Sequence, residues 1–183
     1  MIAHGRDFID FAVGDYNANA IIEQYHQEVA GFKPPVVIYG FDISDIELSA
    51  ARQQNVIATH WMSLAWLQNL ISRMKWISQG EKSYEEYYQQ TFEKNSLEFY
   101  KFLKQLKTAT EDSGSELYVV LLPDLKSQNL RGINEIYSDI EAELLNYKIK
   151  VLNLQTHEDW KDPQYWVSTQ DSHPNSKMHH LIF

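Results

Sequence analysis

The chain has 183 residues, 25 of them acidic and 16 basic, and a net charge of −9 when its histidines are neutral. That length suits one soluble domain with a real core, and the scattered bases argue against nucleic acid or an anionic membrane surface as the main partner. There is no cysteine, which excludes disulfides and thiolate metal sites, and no apolar run approaches the ~20 residues of a membrane span.

In chain order, four short apolar runs alternate with segments of helical spacing. The first run, Phe8–Val13, ends at Gly14. Ala18, Ile22, Tyr25 and Val29 then form a helical stripe, with Gly31 as its expected stop. The second run, Val36–Tyr39, follows Pro34-Pro35, which keeps a helix from running into it, and ends at Gly40. A long helical insertion, 46–114, comes next. Its first half carries Ile57, Trp61, Leu64, Ile71 and Met74 on one stripe, readable as a core helix or as a lid or pocket wall. Tyr84, Tyr87 and Tyr88 add aromatic surface, and Tyr88, Phe92, Phe99, Leu103 and Leu106 make a second stripe ending near Gly114. The third run, Leu117–Leu122, stops at Pro123. Ile133, Ile136, Ile140, Leu144 and Tyr147 make a third stripe, and Val151–Leu154 is the last run. The second and third runs are continuously apolar, which suits strands covered on both faces. Alternation of strand and helix predicts one α/β domain over 1–183, with a parallel sheet and right-handed crossovers.

The C-terminal segment carries the chemistry: Asp171-Ser172-His173-Pro174-Asn175-Ser176-Lys177-Met178-His179-His180. A histidine acting as general base needs a partner that fixes its tautomer and steadies the imidazolium it becomes. A carboxylate two residues away on a rigid turn can do that. The plainer alternative is a surface loop whose Asp171 caps a terminal helix.

This segment resembles the last sequence block of the SGNH (GDSL-like) hydrolases, commonly Asp-x-His-Pro-Asn-x-x-Gly-His, and departs from it at Met178, where the family has Gly. The resemblance extends from about Phe8 to Ile182. It implies a three-layer α/β/α, flavodoxin-like parallel sheet, with His173 as base and Asp171 orienting it. It further implies an oxyanion hole from the Gly14 N–H, in the position of the family's Gly block, and from Ser44 in Gly40-Phe41-Asp42-Ile43-Ser44-Asp45. There the family has Asn-Asp, so Ser44 stands for the amide and Asp45 is expected to tie down the loop. The implied substrate is a small-molecule or polysaccharide acyl ester, cleaved without cofactor or metal. No Gly-Asp-Ser nucleophile block occurs in the sequence. The expectation is therefore a domain that is N-terminally incomplete and lacks its first strand, with its Ser upstream of Met1. Ser44, Ser115 and Ser172 do not open the strained strand-to-helix turn a nucleophile needs. The rival is a non-catalytic carbohydrate- or partner-binding remnant of the same fold. His26, His60 and His157 stand isolated, while Trp160 and Trp166 flank the Asp-His block as packing residues or pocket walls.

Overall fold

The computed structural model describes residues 9–11, 18–47, 62–125, 127, 129–156, 162–168 and 171–178; side chains at 19, 62–83 and 171–174 are outside that set. The chain is an α/β protein, and its described residues form a parallel sheet of three strands. Its strands are β1 (Val36–Phe41), β2 (Glu116–Leu121) and β3 (Lys150–Asn153), in the order β1-β2-β3. They fall on the second, third and fourth apolar runs, within a residue or two at each end. The described part of the first run, 9–11, does not join them. Ile9–Phe11 is described and carries no strand. Ile9 and Asp10 are exposed, while the Phe11 carbonyl accepts a bond from Gln24 Nε2 and its ring meets Phe32. With that carbonyl bonded to a side chain, the segment lies against the helix that follows it.

That helix, α1 (Ala18–Gln24), runs into a π turn, Tyr25–Val29, and a 3-10 turn, Ala30–Phe32. It does not stop at Gly31. Lys33 ends it, in a left-handed conformation at φ 47°, with its N–H on the Ala30 carbonyl. In the β1-to-β2 crossover, Met62–Asp112 form one continuous helix, α2, of 51 residues or ~77 Å. No proline interrupts those residues, and the single glycine, Gly80, costs an exposed helix only ~1 kcal/mol. The stop at Gly114 is as the sequence implies. Gly114 sits at φ 78°, its N–H bonds the Glu111 carbonyl and the Ser115 N–H bonds that of Thr110, closing a Schellman motif. Helix α3 (Arg131–Asn146) returns the chain from β2 to β3 and buries Ile133, Ile136, Ile140 and Leu144 as its stripe predicts.

Both crossover helices lie on one face of the sheet. Tyr39, Phe41, Leu117, Val119 and Leu121 point into it and are buried against Phe99, Phe102, Leu103 and Tyr137. The packing is aromatic: Phe41 lies 5.4 Å from the Phe99 ring and 5.5 Å from that of Tyr137, edge-on to the latter. The opposite face differs from expectation. Val36, Ile38 and Leu152 are exposed there, so β1 alternates in burial although its sequence is continuously apolar. A two-stranded antiparallel ribbon, β4 (Trp166–Ser168) with β5 (Asp171–Pro174), completes the described chain. No helix among the described residues is long and apolar enough to cross a membrane.

Candidate functional site at the carboxyl ends of the strands

Parallel strands emerge together at their carboxyl ends, where open α/β sheets bind ligands. Here that edge gathers a network of hydrogen-bonded polar groups. The exit of β1 is a tight turn, Ile43–Glu47, knotted by its own acids. Asp42 Oδ1 accepts from the Ser44 N–H at 2.9 Å and the Ser44 hydroxyl at 2.6 Å. Asp45 Oδ2 accepts from the Tyr39 hydroxyl at 2.7 Å and the Asp42 N–H at 2.9 Å. From α2, Asn95 donates to the Ile46 carbonyl at 2.9 Å, so the turn is fixed to the helix that covers it. Burial pushes the Asp45 carboxyl up to about 6; the two donated bonds pull it back and the nearby Asp42 charge adds to the rise. The Tyr39 phenol is raised first by burial and then by the Asp45 charge, which keeps it a neutral donor.

The exit of β2 is held from further away. Asp124 Oδ2 accepts from the Tyr84 hydroxyl of α2 and from the buried Ser127 hydroxyl, each at 2.5 Å. Its N–H donates to Gln155 Oε1 at 2.7 Å, and Gln155 Nε2 reaches Asn134 Oδ1 of α3 at 3.0 Å. Tyr137 donates to the Leu122 carbonyl at 2.8 Å. These bonds join the exits of β2 and β3 to both crossover helices. The Tyr84, Tyr88 and Tyr137 phenols are all raised by burial first, then by carboxylates: Asp124 at Tyr84, Glu47 at Tyr88 and Asp42 at Tyr137. All three therefore stay protonated through the physiological range.

The C-terminal block docks on the same edge. Asp171–Pro174 forms a strand paired with Trp166–Ser168, with Ser168 opposite Asp171 and Trp166 opposite Pro174. The turn expected there is thus an extended segment, because its backbone groups pair with β4. Asn175 follows and caps the helical residues 176–178: its Oδ1 accepts from the N–H groups of Lys177 at 2.9 Å and Met178 at 3.2 Å. Its Nδ2 donates to the carbonyls of Gln164 and Trp166. The cap is therefore Asn175, where the plainer alternative had Asp171. Met178 is fully buried against Leu125 and Leu154, just beyond β2 and β3, with Val120 and Trp166 beside them. A large apolar side chain at this position fills a cluster that a glycine would leave open, and Trp166 serves as packing.

Of the sequence-derived site residues, Ser44 is placed in full, and its hydroxyl proton is committed to Asp42. Asp171 and His173 are alternate residues of β5; their side chains lie outside the described residues, as do Gly14, His60, His157 and Trp160. Ser115 is buried and donates to the Pro34 carbonyl at 2.6 Å. No group of three His, Asp or Glu among the described residues is arranged to hold a metal. A cavity of about 300 Å³, lined by Lys107, Ser115, Lys148 and Lys150, opens at the amino end of the sheet, away from this edge. Sequence reasoning singled out none of Asp124, Ser127, Asn134 and Gln155 as site residues. The one signal for Asp124 was its place directly after Leu122-Pro123. No protein-family profile, curated protein or solved structure matches this chain.

Proposed function

We propose that the chain is an ester hydrolase domain of the SGNH type, acting on a small-molecule or polysaccharide acyl ester. In this reading the fold is the flavodoxin-like three-layer form, and the sheet takes one further strand beside β1. His173 removes the proton from a serine hydroxyl as it attacks the acyl carbon, then returns it to the leaving alcohol. Asp171 holds His173 in the tautomer that leaves Nε2 free as acceptor. The Gly14 N–H and the exit of β1 supply oxyanion donors, and the serine comes from a Gly-Asp-Ser block, which these 183 residues do not contain. The observation that carries the reading is the anchoring of Asn175 and Met178. They follow the Asp-x-His triplet after Pro174; Asn175 holds the carbonyls of Gln164 and Trp166 and the N–H of Met178, and Met178 packs on Leu125 and Leu154 just beyond β2 and β3.

One observation favours a second reading, a non-catalytic binding remnant. A developing oxyanion beside Ser44 would face the Asp42 carboxylate, which already takes the Ser44 proton. An anion there repels the charge that the hole must stabilise, and losing one donor typically costs ~2.7–4 kcal/mol.

The test is hydrolysis of p-nitrophenyl acetate, with labelling by a fluorophosphonate. It compares the 183-residue chain with the chain extended through its upstream reading frame, each with His173→Ala. The expected result is turnover and labelling of the extended chain alone, both lost in His173→Ala. A silent extended chain contradicts the hydrolase reading and supports the remnant. Labelling of the short chain identifies a different nucleophile.

A further inference from the structure

The ribbon that carries Asp171 and His173 is short, and its ladder is irregular. β5 has four residues and β4 has three. Trp166 stands opposite Pro174 and Ser168 opposite Asp171, so the pairing shifts by one residue between them. Alternate residues of a strand share a face, as Asp171 and His173 must if they act together. A further slip of one residue turns both to the other face. A two-stranded ribbon is marginal by itself in water, and Pro174 has no N–H with which to fix the ladder. The register therefore needs a tie beyond the two strands.

We infer that Asn175 is the positioning residue of Asp171 and His173: it pins the register of β5 against β4, and so fixes the His173 tautomer without touching substrate. The inference rests on the hydrolase reading, which gives His173 its role. Asn175 takes three consecutive carbonyls at the entry to β4. Its backbone N–H donates to Tyr165 at 2.9 Å, and its Nδ2 donates to Gln164 at 2.7 Å and to Trp166 at 2.8 Å. The turn that offers those carbonyls is itself held, because the Asp162 carboxylate accepts from the Gln164 N–H and from Gln164 Nε2, each at 2.9 Å. On its other side, Asn175 Oδ1 accepts from the N–H groups of Lys177 and Met178, and Met178 is buried against Leu125 and Leu154. Both donors and both lone pairs of one amide are thus in use. The sheet sets the place of Met178, Met178 sets that of Asn175, and Asn175 sets the ribbon two residues beyond His173. An aspartate at 175 would keep the two accepted bonds but turn a carboxylate oxygen towards two carbonyls. A serine would still cap the helical residues, with one donor in place of two.

The test is the ring ¹⁵N spectrum of His173 in Asn175→Ser and Asn175→Asp, read beside Asp171→Asn. Ile140→Val, a buried substitution on α3 away from the ribbon, controls for stability lost elsewhere. The expected result is a single Nδ1–H form in the unaltered chain and in Ile140→Val, and a mixture with the Nε2–H form in both Asn175 variants. A single Nδ1–H form in Asn175→Ser, with a mixture in Asp171→Asn, would overturn the inference and leave the hydrolase reading standing. So would a mixture in Ile140→Val, because the disturbance would then follow from lost stability alone. A mixture in the unaltered chain, or a spectrum indifferent to Asp171→Asn, would remove the dyad, and the inference would fall with it. Circular dichroism confirms the fold of each variant. Asn175→Asp is isosteric and Asn175→Ser uncharged, so a misfolded one leaves the other to decide; where two folded variants differ, the uncharged serine decides.

Discussion

The exits of β1 and β2 solve one problem in two ways. Each must hold a carboxylate at the carboxyl edge of the sheet. At β1 the solution is local: Asp42, Ser44 and Asp45 bond within a few residues of one another, and Tyr39 comes from the strand itself. At β2 it is distant: Tyr84 lies 40 residues before Asp124, and Gln155 lies 31 residues after it. A local knot fixes the shape of one turn. A long-range one fixes helices and strands to each other, so breaking it should cost far more.

The largest effect is therefore expected from Asp124→Ala. It takes from the Tyr84 and Ser127 hydroxyls the carboxylate oxygen they share, leaving Ser127 only the longer bond to the Asp124 carbonyl at 3.3 Å, and a bond lost from a buried donor costs about 1–3 kcal/mol. Urea unfolding should show a loss of about 2–4 kcal/mol, with Asp124→Asn less damaging because one acceptor oxygen remains. Equal losses for Asp124→Ala and for a substitution in the β1 turn would break the comparison.

Next comes Asp45→Asn, whose effect depends on pH. The folded carboxyl titrates near 6, above its ordinary 3.8, because burial disfavours the charge. Between those values the folded chain binds more protons than the unfolded one. Its contribution to stability is therefore complete below about 4 and is lost as the pH rises through 6. A shift of this size corresponds to ~3 kcal/mol at most. Asp45→Asn keeps an acceptor for Tyr39 and carries no charge, so the fall in stability between pH 4.5 and 7 should flatten. Denaturation midpoints at pH 4.5, 6 and 7.5 measure it. An unchanged pH slope would mean that Asp45 titrates as an ordinary surface acid.

The smallest effect is expected from Ser44→Ala. Its hydroxyl bond to Asp42 is exposed, and the Ser44 N–H keeps its own bond to the same oxygen. Stability should move by less than about 0.5 kcal/mol.

The same division between local and distant decides how much the sequence reveals. The three strands, helix α3 and the Gly114 stop are written in short windows: an apolar run after Pro34-Pro35, a 3.6-residue stripe, a glycine at the end of a helix. The Asp45 tie is local, and the resemblance to the family's Asn-Asp block implies it. Tyr84 with Asp124, and Gln155 with Asn134, depend on which elements pack together, and no window contains both partners. Two errors have the same root. Phe8–Val13 has strand composition, yet at 9–11 the chain pairs with no strand, and apolar content alone does not supply a partner. The left-handed ends at Lys33 and Lys148 fall on lysine, where propensity favours glycine, because the chain must turn directly into β1 and β3. In the C-terminal block the residue types carry the chemical expectation. The anchoring of Met178 by Leu125 and Leu154 comes from 53 and 24 residues away and could not be read locally.

The most direct measurement is the tautomer of His173, read from the ring ¹⁵N shifts of histidine-labelled protein and assigned with His173→Ala. An Asp171 carboxylate on Nδ1 fixes the proton there and leaves Nε2 as acceptor. The expected result is a single Nδ1–H form at neutral to mildly alkaline pH, giving way to a mixture with the Nε2–H form in Asp171→Asn. A mixture already present in the unaltered chain, or a spectrum indifferent to Asp171→Asn, would contradict the dyad and with it the assignment of the carboxyl edge as a hydrolase site.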